Sequence, residues 1–244
     1  MDGFVPIKGG YAVTTKEKLL ALLEDSKGTF FSGEEIARTL QVSRAAVWKA
    51  VNALREDGYT IDAATNKGYR LSPDSDILSP QGIRRFLKPE YRDLDLTVLP
   101  TAPSTNALVR EKANQGRPEG CVIVACEQTD GRGRYGRQFF SPVDSGVYLS
   151  LLLRPTAYSP QQATCLTAAA AAAMCQAIEA VTGQQPGIKW VNDIFLHGKK
   201  VCGILTEAAV GLETGTLNYM VLGAGVNLYP PAEGFPEEIQ SIAG

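Results

Sequence analysis

The sequence predicts an α+β protein of two units, a small helical unit followed by a larger one built on a mixed β-sheet. Three observations support this. Residues 15–71 show the pattern of three short helices and a hairpin, and residues 72–80 are rich in turn formers. Residues 95–227 contain neighbouring strand-like runs with few, long helices between them, which favours an α+β arrangement over a doubly wound sheet.

The composition is typical of a folded globular protein. The 244 residues are 44% hydrophobic and 20% charged, with a formal net charge of −2. The longest apolar run, residues 168–174, is followed by Gln176 and Glu179 well before a bilayer-spanning length of about 20 residues, so no membrane span is expected. Residues 1–14 lack the apolar core of a secretion signal and are expected to form a loose tail. The protein is therefore predicted to be cytoplasmic.

The cysteine and histidine content argues against several kinds of active site. The five cysteines are odd in number, lie in apolar segments and lack CxxC spacing, so they are expected to be reduced core residues. The single histidine, His197, lies in a polar turn and is expected to be exposed. One such histidine argues against Ser-His-Asp catalysis and against a histidine-rich zinc site, and no protein metal site is predicted.

Residues 15–72 begin with the pattern of two helices. Leucines at helical spacing within residues 16–24 predict the first helix. Ser32 and Glu35, three residues apart, form a capping-box pattern that predicts the start of a second, short helix. This helix is expected to end near Gln41, where a tight connection follows.

A third helix and a wing complete a winged helix-turn-helix. Ser43 is the predicted cap of the third helix, which ends at Gly58, and residues 59–63 and 68–71 show the pattern of a hairpin. The first turns of this helix would enter a DNA major groove, where hydroxyl and guanidinium groups reach phosphates or base edges. The residues so presented are Ser43, Arg44, Ala45 and Lys49. A protein-docking module with a solvated basic face is the alternative that this pattern leaves open.

The larger unit is predicted to begin at residue 80, after the turn-rich boundary. Its predicted helices are residues 81–87, 104–114 and 160–181, and its predicted strands are residues 95–99, 121–127, 147–153, 187–190, 194–196, 201–208 and 217–227.

Residues 128–142 form a glycine- and arginine-rich segment. Its glycines, Gly131, Gly133 and Gly136, have GxGxxG spacing, and its arginines are Arg132, Arg134 and Arg137. A dinucleotide fold is rejected because three arginines crowd the loop and Pro142 ends it where an opening helix would be needed. Close backbone amides and charge-assisted donors indicate a loop for a carboxylate or phosphate. A merely solvated basic loop is the alternative.

Three further motifs accompany this loop. They are Ser104-Thr105-Asn106, the Lys189-to-Asp193 KWVND segment followed by residues 199–207, and residues 223–228. In order and approximate spacing the set resembles the biotin protein ligase family, over about residues 15–244. Because a helix-turn-helix is also present, the chain resembles the bifunctional class that joins biotin ligation to repression of the biotin operon.

The resemblance implies a fold and a reaction. The larger domain would be a mixed-sheet, class II synthetase-like catalytic domain spanning residues 80–244, with the C-terminal SH3-like barrel of the family absent. Biotin and ATP, with Mg²⁺, would give biotinyl-5′-AMP, and biotin would pass to a lysine of the biotin carboxyl carrier protein of acetyl-CoA carboxylase. The adenylate would also promote a homodimer that binds operator DNA.

The resemblance also implies roles for individual residues. Lys189, Arg132 and Arg134 match the groups that bind the biotin carboxylate and the adenylate phosphate, and they are the predicted catalytic residues. The full predicted ligand-binding set is Ser104, Thr105, Asn106, Gln128, Gly131, Arg132, Gly133, Arg134, Phe139, Lys189, Gly203 and Asn227. Within it, Ser104 to Asn106 and Gln128 would bind the ureido ring, and Asn227 and Phe139 would face adenine. A plain helix cap is the alternative role for Ser104.

Two other functions stay open from the sequence. A biotin-sensing repressor without catalysis would keep the same motifs, and a lipoate ligase relative would share the fold but lack the helix-turn-helix and the GRGRxGR loop. The chain also departs from the family at three positions, with Val191 for proline, Tyr135 for arginine and Phe139 for tryptophan.

Overall fold

The computed structural model describes residues 13–155, 158–159, 162–211 and 216–244. The chain divides into two compact units between Arg92 and Asp93. The predicted N-terminal tail lies outside the described residues, except for Val13 and Thr14.

The first unit has the predicted order of helices and wing. Its elements are α1 (Thr15–Asp25), α2 (Gly33–Leu40), α3 (Arg44–Glu56), β1 (Ile61–Ala64), β2 (Gly68–Leu71) and α4 (Pro80–Arg84). Ser32 caps α2 by accepting a hydrogen bond from the Glu35 amide at 3.1 Å, while a complete reciprocal capping box forms at Thr14 and Glu17 before α1. Gln41 ends α2 in the left-handed conformation, which makes the tight turn into α3.

The core of this unit is the common apolar face of its first three helices, closed by the wing. Its fully buried side chains include Leu19, Leu23, Ile36, Val51, Leu54 and Leu71. Each such side chain stabilises the fold by about 1.5–3 kcal/mol through burial. Val47, Ala50 and Val51 lie on the buried face of α3, and the opposite face of the helix is exposed to solvent.

Helix α4 belongs to the first compact unit, although the sequence analysis predicted that the larger domain begins at residue 80. Ser79 caps it by accepting from the Gly82 amide at 2.9 Å. Buried Glu24 of α1 lies 3.7 Å from the Arg85 guanidinium, which ties the end of α4 to α1. The helix ends at Arg84 and not at the predicted Leu87, because two turns follow it.

The second unit is a seven-stranded mixed sheet with the order β3-β4-β5-β9-β8-β7-β6. Its elements are β3 (Asp95–Leu99), α5 (Thr105–Asn114), β4 (Cys121–Ala125), β5 (Gly146–Leu153), α6 (Ala163–Thr182), β6 (Gly187–Lys189), β7 (Asp193–Leu196), β8 (Lys199–Val210), β9 (Leu217–Asn227) and α7 (Glu237–Gln240). Only β3 and β4 pair in parallel, and the other pairs are antiparallel. The prediction of an α+β mixed sheet is confirmed. Strand β8 is longer than the predicted 201–208, because β7 pairs with it from Lys199 and β9 pairs with it as far as Val210.

Helix α6 packs one face on the sheet. Ala171 is fully buried, and Met174 and Ile178 pack with it against Ile194 and Cys202 of the strands. By length and composition alone, the stretch from Cys165 to Thr182, with a mean hydropathy of 1.4, is also long and apolar enough to cross a membrane. One face of this stretch packs on the sheet, but only 11% of the stretch is buried within the described structure.

The cysteines are all free, as predicted, but they are not all core residues. Cys121 and Cys202 are buried, whereas Cys165 is exposed because it lies on the outer face of α6. Burial raises the pKa of the Cys121 thiol, and it raises that of Cys202 to about 12. His197 is exposed, as predicted, and contacts Gln184.

Candidate functional site

Among the described residues, a cleft opens over the middle of the sheet in the second unit. Its walls come from the start of α5, the arginine loop, and strands β5, β8 and β9. Nine residues of the predicted ligand-binding set line it, namely Ser104, Thr105, Asn106, Gln128, Arg132, Gly133, Arg134, Phe139 and Gly203. The fold therefore gathers residues that are up to a hundred positions apart in the chain.

The start of α5 forms the polar end of the cleft. Ser104 accepts a bond from the Ala107 amide at 3.4 Å, so it does cap the helix while lining the cleft. The Thr105 amide and hydroxyl donate to the side-chain oxygen of Gln128 at 2.9 and 3.1 Å. The Gln128 amide nitrogen in turn donates to the Ser141 hydroxyl at 3.1 Å. These hydrogen bonds hold the polar groups in one arrangement, and such preorganisation is what a selective polar pocket requires.

Asn106 lies beside Thr105 and is held by the sheet beneath it. The wholly buried Ser150 hydroxyl donates to its side-chain oxygen at 2.6 Å. Its amide nitrogen donates to the Glu207 carboxylate at 2.8 Å and to the Leu205 carbonyl at 3.4 Å. Gly223 is needed here, because a Cβ at that position would lie 2.1 Å from the Asn106 oxygen.

The arginine loop folds back on itself beside the cleft. The Phe139 amide donates to the Gly131 carbonyl at 2.8 Å, and a Cβ on Gly131 would lie 2.3 Å from the Phe139 carbonyl oxygen. Arg132 pairs with Asp130 at 3.1 Å. Arg134 stacks on Tyr135, which adopts the left-handed conformation with φ of 59°. The exposed guanidinium groups remain accessible to an anion in the cleft.

Phe139 forms an aromatic wall between the loop and the sheet. A Cβ on Gly203 would lie 2.8 Å from its ring, and one on Gly225 would lie 2.4 Å from it. The ring also meets Tyr148 edge-on, with 6.3 Å between the centroids. Strands β8 and β9 thus carry glycines where the aromatic ring needs the space.

Two lysines of the predicted motifs are placed very differently. Lys200 on β8 lines the cleft, with its Nζ 2.8 Å from an Asp193 oxygen and 5.9 Å from the centre of the Phe139 ring. Lys189 on β6 is exposed, lies over the ring of Phe195, and is not among the described lining residues. The sheet order explains this, because β6 is separated from β8 by β7.

Two other members of the predicted set lie outside the cleft wall. Gly131 is buried behind the loop, and Asn227 at the end of β9 donates to the Gly244 carbonyl at 3.0 Å. The sequence interpretation also missed residues that do line it, above all Lys200 and Asn192. The available signal was their place in the recognised motifs, Asn192 within KWVND and Lys200 within residues 199–207.

The predicted DNA-contacting residues share the exposed face of α3. Ser43 caps the helix through the Ala46 amide at 3.2 Å, and Arg44, Ala45 and Lys49 are exposed. The sequence interpretation missed Trp48, which is 60% exposed and lies one helical turn after Arg44. A large exposed aromatic residue between cations is unusual on a helix that is otherwise well packed.

Comparison with known proteins agrees with this pairing of a helix-turn-helix and a ligand-binding sheet domain. Residues 98–227 match the biotin/lipoate A/B protein ligase family, and residues 15–70 match a helix-turn-helix domain family. The fold and the site thus define the class of protein ligases that carry a DNA-binding domain.

Individual relatives are more specific. The chain is 40% identical over 230 residues to the bifunctional ligase/repressor BirA of Bacillus spizizenii, covering 94% of this chain and 70% of that one. It is 33% identical to the BirA of Escherichia coli, covering 88% and 64%. A solved biotin protein ligase from Aquifex aeolicus, in complex with biotin and ATP, is 30% identical with a TM-score of 0.49, covering 62% of this chain and 58% of that one. From the sequence matches, this chain belongs to the biotin/lipoate A/B protein ligase family, among its bifunctional ligase/repressor members.

Proposed function

We propose that the chain binds biotin and ATP in this cleft, forms biotinyl-5′-AMP, and passes biotin to a lysine of a biotin carboxyl carrier domain. The observation that carries the proposal is that a neutral polar group of side chains and a cationic group line the same cleft. Ser104 to Asn106 and Gln128 form the first, and Arg132, Arg134 and Lys200 form the second. Biotin has a matching pair of groups, with a ureido ring at one end and a carboxylate at the other.

Apolar residues also line the cleft, among them Leu149 and Ile204. They suit the thiophane ring and the alkyl chain of biotin, which gain stability when they leave water. Phe139 and the glycines beneath it offer a flat surface on which adenine would stack.

The chemistry needs positive charge and no protein nucleophile. An oxygen of the biotin carboxylate attacks the α-phosphorus of ATP, the bond to pyrophosphate breaks, and pyrophosphate leaves. Two anions must meet in this step, so the guanidinium groups of Arg132 and Arg134 and the ammonium of Lys200 would neutralise the charge that builds up. The neutral amine of an acceptor lysine then attacks the carbonyl carbon of the mixed anhydride, and AMP leaves.

The proposal includes Mg²⁺ because this ion would bind together with the phosphates of ATP. Among the described residues no three His, Cys, Asp or Glu side chains converge on a point that could hold a metal ion. Asp193, the acidic residue of the KWVND motif, is already paired with Lys200. This donor set fits a magnesium ion that is held mainly by phosphate oxygens and water, which is the coordination that Mg²⁺ prefers. When bound, the ion would offset the charge of the phosphates.

The first unit would bind operator DNA through the exposed face of α3. Arg44 and Lys49 are both exposed there and would supply phosphate or base contacts. We also propose that the adenylate promotes a homodimer, so that two helix-turn-helix units reach paired half-sites. The carrier protein, operator DNA and a second copy of the chain are thus its partners, and the cytoplasm is where it would meet them.

The test is a calorimetric titration with biotin, alone and with Mg-ATP, together with an assay of pyrophosphate release. Biotin binding with pyrophosphate release is expected. Binding without release would favour a sensor that does not catalyse, and lipoate binding in place of biotin would favour a lipoate ligase. The absence of binding to either acid would contradict the proposal.

Two lysine variants identify the catalytic cation. Lys200→Ala is expected to lower the rate of pyrophosphate release by about 100-fold, because it removes a charge from the cleft. Lys189→Ala removes the same charge from an exposed edge strand and is the matched control, with an expected change below about twofold. The reverse pattern would restore Lys189 as the catalytic lysine.

A further inference from the structure

The carboxylate of Glu207 lies behind the cleft and joins β8 to α5. One oxygen accepts from the Asn106 amide nitrogen at 2.8 Å, and the other lies 3.3 Å from the Arg110 guanidinium. Asn106 is one of the described residues that line the cleft and Glu207 is not. Asn106 therefore offers Glu207 a direct hydrogen-bonded route to the cleft.

An asparagine amide can face its surroundings in two ways, and Glu207 selects one of them. A carboxylate only accepts hydrogen bonds, so it stabilises the orientation that turns the Asn106 nitrogen toward it. The reverse orientation would bring the Asn106 oxygen against a negative charge.

The chosen orientation sets the direction of the next hydrogen bond. The Ser150 oxygen lies 2.6 Å from the Asn106 oxygen and 2.8 Å from the Thr105 hydroxyl oxygen. A serine hydroxyl has one hydrogen and cannot donate fully to both. With the Asn106 oxygen taking the larger share of that hydrogen and the Thr105 hydroxyl donating to Gln128, a lone pair of the Thr105 oxygen is left for a donor in the cleft.

We propose that Glu207 is a positioning residue that makes the polar end of the cleft accept an N–H donor, through the chain Glu207, Asn106, Ser150 and Thr105. The inference rests on the proposed function, since the N–H groups of a cyclic urea such as that of biotin are the donors it would serve. Glu207 would thus contribute to ligand specificity although it does not line the cleft.

The test compares biotin affinity and the ATP KM across variants. Glu207→Ala is expected to raise the biotin Kd about tenfold while the ATP KM changes by less than about twofold. Arg110→Met is the matched control, because it breaks the same ion pair but leaves the carboxylate to accept from Asn106. Its biotin Kd is expected to stay within about twofold of the wild-type value.

Two further measurements separate positioning from a general structural role. Glu207→Gln in the Arg110→Met background frees the glutamine oxygen to face Asn106, and it is expected to recover most of the biotin affinity. Adding Glu207→Ala to Asn106→Ala is expected to cost less than about twofold, because the residue through which Glu207 acts is already gone. If Glu207→Ala does not fold, Glu207→Gln with Arg110 retained is the second variant, because the glutamine oxygen would accept from Arg110 and its nitrogen would face Asn106. It is expected to raise the biotin Kd with the ATP KM unchanged.

The outcomes distinguish this inference from the proposed function. Wild-type protein that does not bind biotin would contradict the proposed function itself. Wild-type protein that binds biotin, with Glu207→Ala binding equally well or losing biotin and ATP affinity together, would overturn only the role of Glu207.

Discussion

The side-chain oxygen of Asn192 accepts a 2.8 Å hydrogen bond from the guanidinium of Arg134, which fastens the arginine loop to the turn between β6 and β7. The Asn192 nitrogen is itself fixed, since it donates to Asp193 at 2.9 Å and to the Ile204 carbonyl at 3.3 Å. Asp193 completes the chain by pairing with Lys200 at 2.8 Å. Two cations of the cleft are thus positioned by adjacent residues of one motif.

We predict that Asn192→Ala raises the KM for ATP by about tenfold in the pyrophosphate release assay, with a smaller change in biotin affinity. The reason is that Arg134 loses the acceptor that holds it at the cleft, and an ordered charge-assisted bond of this kind contributes about 1.5–3 kcal/mol. Trp190→Phe, at an exposed neighbour in the same turn, serves as the control and should leave the ATP KM unchanged. An unaltered ATP KM in Asn192→Ala would show that Arg134 is not positioned in this way.

A second prediction concerns the glycines beneath Phe139. Gly225→Ala should lower the free energy of unfolding by about 1–3 kcal/mol, because the new Cβ would lie 2.4 Å from a Phe139 ring carbon and must displace it. Gly187→Ala, in strand β6, meets no atom within 4 Å and should change that free energy by less than about 0.5 kcal/mol. Denaturant unfolding of both variants measures the difference, and equal effects would mean that the ring does not pack there.

A third prediction concerns the exposed face of α3. Arg44→Ala and Lys49→Ala should each weaken binding to a random-sequence DNA duplex, and each lost phosphate contact should reduce the slope of log K against log salt by about 0.9. Lys18→Ala removes one equal charge from α1 and should leave the slope unchanged.

Trp48 provides a direct readout of the same surface. The chain has two tryptophans, so Trp190→Phe leaves Trp48 as the only one. Its fluorescence should change when the duplex is added and should recover at high salt, because Trp48 lies between Arg44 and Lys49. No fluorescence change on saturation with DNA would mean that another face of the unit binds.

A fourth prediction concerns alkaline pH. Burial raises the pKa of Cys202 from 9.0 to about 12, so between these values the unfolded chain loses a proton that the folded chain keeps. Stability from this thiol is complete below pH 9 and is lost as the pH rises toward 12, at about 1.4 kcal/mol for each pH unit. Unfolding free energies measured from about pH 8 to 10 should fall less steeply in Cys202→Ala than in the wild type.

Cys165→Ala is the control for this measurement, because the Cys165 thiol is exposed on α6. Its stability should decline with pH as steeply as that of the wild type. Identical slopes in all three proteins would show that the Cys202 thiol is hydrated in the folded state.

Local sequence determined much of this protein. The caps at Ser32 and Ser43 and the left-handed turn at Gln41 fix the helix-turn-helix within ten or so residues, so each could be predicted without knowledge of the rest of the chain. The arginine loop was predictable for the same reason, since its glycines and arginines act within one short segment. The resemblance to a family added the roles of these segments.

Tertiary structure decided which residues share the cleft. The sequence interpretation chose Lys189 by resemblance and did not include Lys200, whereas the order of the strands places Lys200 at the cleft and Lys189 at the edge of the sheet. The hydrogen bond between Asn106 and Glu207 joins residues 101 positions apart, and the one between Arg134 and Asn192 joins residues 58 positions apart. No local sequence pattern encodes either bond. Helix and turn signals depend on interactions within a few residues, whereas strand order and side-chain registry depend on how the whole sheet packs.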